Sequence, residues 1–422
     1  MSETQPRWGG PGEDYRLKKI RTTEAELFGP EDPAPAQAPT WRIPRRVRSL
    51  PFLEIIFTIL GTIGVIVLMV TYVRTGGVVS AAVMTTLALI PLVIVLGVLS
   101  YLDRWEREGW KSNFICFIWG AGVATLSSLV VNSTLNLDLA RTLGDQDSAA
   151  VIVAVFVAPF AEEFFKGIGV IIFILARRNS TNSRLDGLIC GGIVGAGFAF
   201  IENIQYFLRT SSSGAFMLTT TVFTRGILSP FVHPMATSFT GMAIALVLIR
   251  RYGALWSTVR VLFGYLTAVF FHGLWNFLAS NNGIGGWFHS YITIEVPLFT
   301  CWFIYLITQS SREAKHIQQG LTPYVVQGWV LPVELQMVTD RAQRRNAVKW
   351  AASAGSEARK AMNFFLNSLA AIGLDEYARP LRKREDPARD AYDRELLTKA
   401  VEARKKFLSL TELSQAARRV SA

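Results

Sequence analysis

Residues 158–176 read Ala158-Pro-Phe-Ala-Glu162-Glu163-Phe-Phe-Lys166-Gly-Ile-Gly-Val-Ile-Ile-Phe-Ile-Leu-Ala176, and the apolar chain reaches back to residue 150. That run exceeds the roughly 20 residues a helix needs to cross a hydrocarbon core of about 30 Å. In lipid only a helix satisfies the backbone of such a single segment, so the stretch predicts a transmembrane helix. It also holds two carboxylates and an ammonium within five positions. A central charge costs about 2.5–3.5 kcal/mol on insertion scales, so ionisable residues at this depth mark a functional site by default.

Outward from this helix, further apolar runs lie at roughly 52–73, 78–99, 113–132, 185–207, 227–249, 259–279 and 291–307. The last is short and carries Glu295, and residues 212–226 read equally as a loop, an interfacial segment or an extra turn of the sixth helix. The 422-residue chain is 50% hydrophobic and only 18% charged, against about 25% charged in soluble domains. The expected fold is all-α: a polytopic transmembrane bundle of about eight helices over residues 51–308, between two polar ends. Residues 1–50 are polar and Pro-rich and predict a disordered tail. The first apolar run starts too late for a cleaved leader and predicts a retained anchor. Residues 309–422 carry apolar positions at helical spacing among Lys and Arg, with breaks at Arg379-Pro380 and Asp386-Pro387, and predict amphipathic helices.

The formal net charge of +11 raises nucleic acid in a soluble protein; here it reports topology. Alternating the segments from the N-terminus puts 38 of the 43 Lys and Arg on one side, which the positive-inside rule makes cytoplasmic. A multi-pass cell-membrane protein with both termini in the cytoplasm is expected, with no nucleic-acid partner. The C-terminal region reads as a helical tail drawn to anionic lipid or as a docking surface for a cytoplasmic partner. Cys116, Cys190 and Cys301 each lie in or at the end of an apolar run and suggest neither a disulfide framework nor a zinc knuckle.

Three of these spans carry further polar clusters: Glu202 with Asn203, Gln205 and Tyr206; His233 with Thr237; and His272 with Asn276. Counting about 1.5 Å per residue from each cytoplasmic end puts Glu162, Glu163, Glu202, His233 and His272 about 20–25 Å up, in one layer at or outside the midplane. Glu162 and Glu163 lie four and three residues before Lys166, so the lysine can neutralise one carboxylate and leave the other for chemistry. Glu202 with Tyr206, His233 with Thr237 and His272 with Asn276 are i,i+4 pairs. Tyr206, Thr237 and Asn276 read as orienting residues, and His289 and His316 fall outside the layer.

Glu162-Glu163-x-x-Lys166, Glu202-x-x-x-Tyr206, His233 and His272-x-x-x-Asn276, in successive spans, together resemble the PrsW family of intramembrane proteases, within the wider superfamily of CaaX proteases and bacteriocin-processing enzymes. The segment Leu102-Asp-Arg-Trp-Glu-Arg-Glu-Gly-Trp110 is similar to the acidic-aromatic segment before that family's third span. The likeness covers about residues 85–307; the wider superfamily usually has Arg four positions after its Glu pair, where Lys166 stands at the third. It implies an endopeptidase acting on membrane-anchored proteins such as anti-sigma factors, cut near the outer surface, with Glu162 as the base.

Such chemistry needs a water, a base and donors for the tetrahedral oxyanion. The catalytic set expected is Glu162, Glu163, Lys166, Glu202, His233, His272 and Asn276. His233 helps hold the water, and His272 with Asn276 faces the oxyanion. No cofactor is favoured, because no His-Glu-x-x-His spacing is present. The alternative is a zinc protease with ligands from Glu162, Glu163, His233 and His272. Of a different class, a transporter or a non-catalytic membrane scaffold would also place charges at the midplane.

Overall fold

The computed structural model describes residues 51–105, 109–281, 283–383 and 387–421. The tail expected at residues 1–50 lies outside them, as do residues 106–108 of the acidic-aromatic segment. Among the described residues there is no strand. Seven helices are long and apolar enough to cross a membrane: α1 Pro51–Leu102, α2 Trp110–Leu143, α3 Gln146–Ala176, α4 Arg184–Ser211, α5 Ala215–Arg250, α6 Ala254–Asn281 and α7 Gly285–Val326. The chain is a polytopic all-α membrane protein.

Helix α1 contains two of the expected spans. Its 52 residues are broken at Gly77 (φ 79°, ψ 160°), in a region that a Cβ disfavours. Phe57 and Leu99 would stand about 63 Å apart on a straight helix. Instead Phe57 stacks on Trp119 with centroids 4.3 Å apart, while Leu99 packs against Gly192, two residues from the point where α2 meets α4 at Gly120 and Val194. The chain therefore turns back at Gly77, and seven helical stretches make eight traverses. Residues 212–226 form no simple loop: Ala215–Phe223 is helical, and a π-turn over Thr224–Leu228 follows. A break at Ser229, Pro230 and Phe231 then separates this arm from the helix Val232–Arg250.

Small residues set how closely the core helices approach. On α4, Gly187, Gly191 and Gly195 recur every four residues, and Cβ atoms there would meet the carbonyl oxygens of Gly241, Thr237 and His233 on α5 at 2.2, 2.5 and 2.4 Å. This seam holds α5 against α4 at the level of His233. Because the obstructing atoms are backbone, Gly191→Val is expected to cost about 1–3 kcal/mol by overpacking, seen as a lower melting temperature of the detergent-solubilised protein.

Trp105 and the chain from Ser310 onward form a second compact unit. It comprises the end of α7 with α8 Pro332–Thr339, α9 Arg341–Ala352, α10 Ser356–Ala378 and α11 Pro387–Ser421. The breaks expected near Pro380 and Pro387 separate α10 from α11. The core gathers Met337, Met362, Phe365, Leu366 and Phe407. Buried charges there are paired: Arg404 with Glu334, and Arg382 and Arg389 with Asp375. Trp105 donates its indole N–H to the Ser310 carbonyl at 2.8 Å and accepts from Arg344 at 2.9 Å.

Candidate active site

The site is built by α3, α4, α5 and α6. Helix α3 begins irregularly, with a π-turn over Val153–Val157 and Pro159 just beyond it, so carbonyls here lose their usual helical donors. Asn276 of α6 donates to one of them, Ala154, at 2.8 Å. One of the two side-chain N–H groups of Asn276 is thus used on the backbone, and Asn276 also lines the cavity.

Glu163 and Lys166 have no exposed surface. The Lys166 ammonium donates to Glu163 Oε1 at 2.8 Å and to His233 Nδ1 at 3.0 Å, and lies 3.7 Å from the centre of the Phe198 ring. His272 Nδ1 donates to the same Oε1 at 3.0 Å, and the Thr237 hydroxyl donates to Oε2 at 2.8 Å. Glu163 thus accepts three hydrogen bonds, two at Oε1 and one at Oε2.

Those bonds fix the two tautomers. Since Lys166 donates to Nδ1 of His233, the ring proton sits on Nε2, which donates to Glu202 Oε2 at 2.7 Å. In the neutral imidazole of His272, donation through Nδ1 leaves a lone pair on Nε2. That lone pair faces Glu162 Oε2 at 3.6 Å. The Glu162 Oε1 atom accepts from Asn132 of α2 at 3.1 Å, but Oε2 is buried without a hydrogen-bond partner among the described residues. A proton on either atom satisfies this contact, as does a water supplying protons or a metal ion. The donor set fits a metal: one ligand atom each from Glu162, His233 and His272 lies within 4.8 Å of the others, a two-His, one-carboxylate set that leaves a coordination position open. The His272–Glu163 hydrogen bond is the outer support usual for a ligating imidazole.

Spacing pairs Glu202 with Tyr206. Its partners are instead His233 and the Arg225 guanidinium, which also donates to Asn203 at 3.0 Å and stacks 4.0 Å over the Tyr206 ring. Arg225 lies in the π-turn before the break, and that arm of α5 carries it into the bundle. Asn132 was also missed, and the signal for it was an amide inside the apolar run of α2. His316 stands apart from this cluster and stacks on Tyr377 in the second unit.

The cluster opens into a cavity of about 230 Å³ between α2, α3 and α4. Asn132, Asn136, Glu162, Glu202, Gln205 and Arg209 are among its polar lining residues. Glu162 and Glu202 of the buried cluster thus face a polar cavity within a transmembrane bundle, where ionisable groups mark a functional site by default. A family model described as PrsW family intramembrane metalloprotease matches residues 108–333, more than half of the chain and all of this cluster. The chain belongs to the PrsW family. It is therefore an intramembrane protease whose substrates are membrane proteins. No curated protein and no solved structure matches it. Within the PrsW domain every site residue named above lies between the matched limits, from Asn132 on α2 to Asn276 on α6.

Proposed function

We propose that this PrsW-family chain hydrolyses peptide bonds of membrane-anchored regulatory proteins at the gap between Glu162 and His272. The carrying observation is Glu162 Oε2, buried without a hydrogen-bond partner among the described residues and 3.6 Å from His272 Nε2. A divalent cation of the zinc type held by Glu162, His233 and His272 would polarise the scissile carbonyl and ionise a water near neutral pH. Around it, Glu163 holds His272 in the tautomer that turns a lone pair inward. Lys166 balances the carboxylate pair, and Asn132 fixes which oxygen of Glu162 faces the gap.

A metal-free reading keeps the same water position and makes Glu162 the general base. One observation favours it: both His233 nitrogens are engaged, by Lys166 and by Glu202, so ligation by His233 requires one of these bonds to be released. Purified protein reconstituted in vesicles and treated with a strong chelator separates the two. On the metal reading, cleavage falls to background and returns on adding zinc; undiminished cleavage leaves the glutamic mechanism.

Following the excess of Lys and Arg on one side, we place both termini in the cytoplasm, residues 309–422 as a cytoplasmic helical region, and substrate entry near the opposite face. The anti-sigma-factor class of substrate rests on family likeness. Comparing membrane-protein fragments in cells carrying wild type and Glu162→Gln would identify the natural substrate.

A further inference from the structure

A transmembrane substrate reaches the Glu162–His272 gap only if its helix is opened around the bond to be cut, because an intact helix hides its carbonyls in i→i−4 hydrogen bonds. Opening frees backbone N–H groups that lipid cannot satisfy. The cavity wall contributed by α2 offers two acceptors of the right kind. Asn132 Oδ1 and Asn136 Oδ1 are both buried and without a hydrogen-bond partner among the described residues, and both residues line the cavity. The orientation of Asn132 is set by its amide N–H, which is given to Glu162 at 3.1 Å and leaves the oxygen as the spare group.

The spacing also fits. Asn132 and Asn136 are one turn apart, about 6 Å along the helix, while alternate residues of an extended chain present N–H groups on one side every 6.6–6.8 Å or so. On α4, Gln205 and Arg209 repeat the four-residue interval in the same cavity and can donate to carbonyls pointing the other way. We propose that Asn132 and Asn136 form a rail that receives the unwound substrate as an extended strand. Asn132 takes the backbone N–H nearest the Glu162 gap, and Asn136 the N–H two residues further along. Recognition then runs through the main chain and tolerates varied side chains near the cut. Asn136 is a positioning residue, and the inference rests on the hydrolytic reading above.

The test uses full-length protein in vesicles with quenched-fluorescent synthetic transmembrane peptides spanning a junction that appears in cells only when Glu162 is intact. One peptide is all amide; in a second series single backbone N–H groups are replaced by ester oxygens. Equal signals from wild type and Glu162→Gln on the amide peptide would overturn hydrolysis itself. With cleavage dependent on Glu162, Asn136→Leu should lower kcat/KM about 5- to 50-fold, mostly through KM because the contact is made equally before and during reaction. Asn136→Gln should recover part of the loss. One ester position should cost wild type a similar factor and cost Asn136→Leu nothing more. If every ester slows both enzymes by the same factor, or if Asn136→Leu matches wild type, the rail is wrong while the protease assignment stands.

Discussion

Glu162→Gln is expected to leave a folded protein whose peptide hydrolysis drops by about 10²- to 10⁴-fold, the contribution typical of a positioned acid–base group. The structure separates the two effects because Glu162 has one working and one idle oxygen. Its Oε1 accepts from Asn132, a bond the carboxamide oxygen of Gln reproduces. Its Oε2 has no hydrogen bond to lose, and Lys166 stands 3.8 Å away, closer by a full ångström to Glu163. What the substitution removes is the second inward acceptor opposite His272. An amide nitrogen in that place donates to the imidazole lone pair and closes the gap, which excludes a catalytic water and a metal ion alike. Melting curves of the two proteins should nearly coincide while fragment release from a membrane substrate disappears. Unchanged cleavage would remove Glu162 from the mechanism.

The largest expected effect on stability is that of Lys166→Met. Removing one partner of a buried ion pair costs about 3–5 kcal/mol, because the other is left charged in a medium that cannot solvate it. Here the stranded partner is Glu163, with no exposed surface, left facing only His272 and Thr237. The loss of the ammonium from the Phe198 face adds to the cost. Replacing both partners, as Lys166→Met with Glu163→Gln, removes the unpaired charge and should recover most of the stability but no activity, since His272 then loses the carboxylate that sets its tautomer. A thermal denaturation cycle over the two single variants and the double variant measures this coupling. Additive losses would mean that the pair does not act as a unit.

Much of this was legible in the chain itself because two local rules hold strictly in a membrane. Apolar runs of about 20 residues must be helices, so the spans of Glu162, Glu202, His233 and His272 were identifiable one by one. Charges at that depth are too costly to be incidental, so the residues of the cluster were identifiable too. The i,i+3 pairing of Glu163 with Lys166 followed from helix geometry and is present at 2.8 Å. The i,i+4 pairing of Glu202 with Tyr206 followed from the same rule, yet Glu202 turns to Arg225 and His233 instead. Helical spacing says which side chains share a face and not which neighbouring helix that face meets. Arg225 was unreadable for a related reason: the break at Ser229, Pro230 and Phe231 lets a segment without a clear hydrophobic signature return into the bundle.

The sequence by itself determined that this is a helical membrane protein with a charged layer and, by the order of its motifs, pointed to the protease family. Helix formation, insertion and the cost of buried charge depend on residues within one or two turns of each other. Only the tertiary structure decided which lone pairs are saturated and which are left facing one another. That depends on the rotation and separation of helices from distant parts of the chain. The seam of Gly187, Gly191 and Gly195 against α5 brings His233 within reach of Lys166, and α6 turns His272 toward both glutamates. The difference between Glu163, which accepts three hydrogen bonds, and Glu162, which accepts one, arises there.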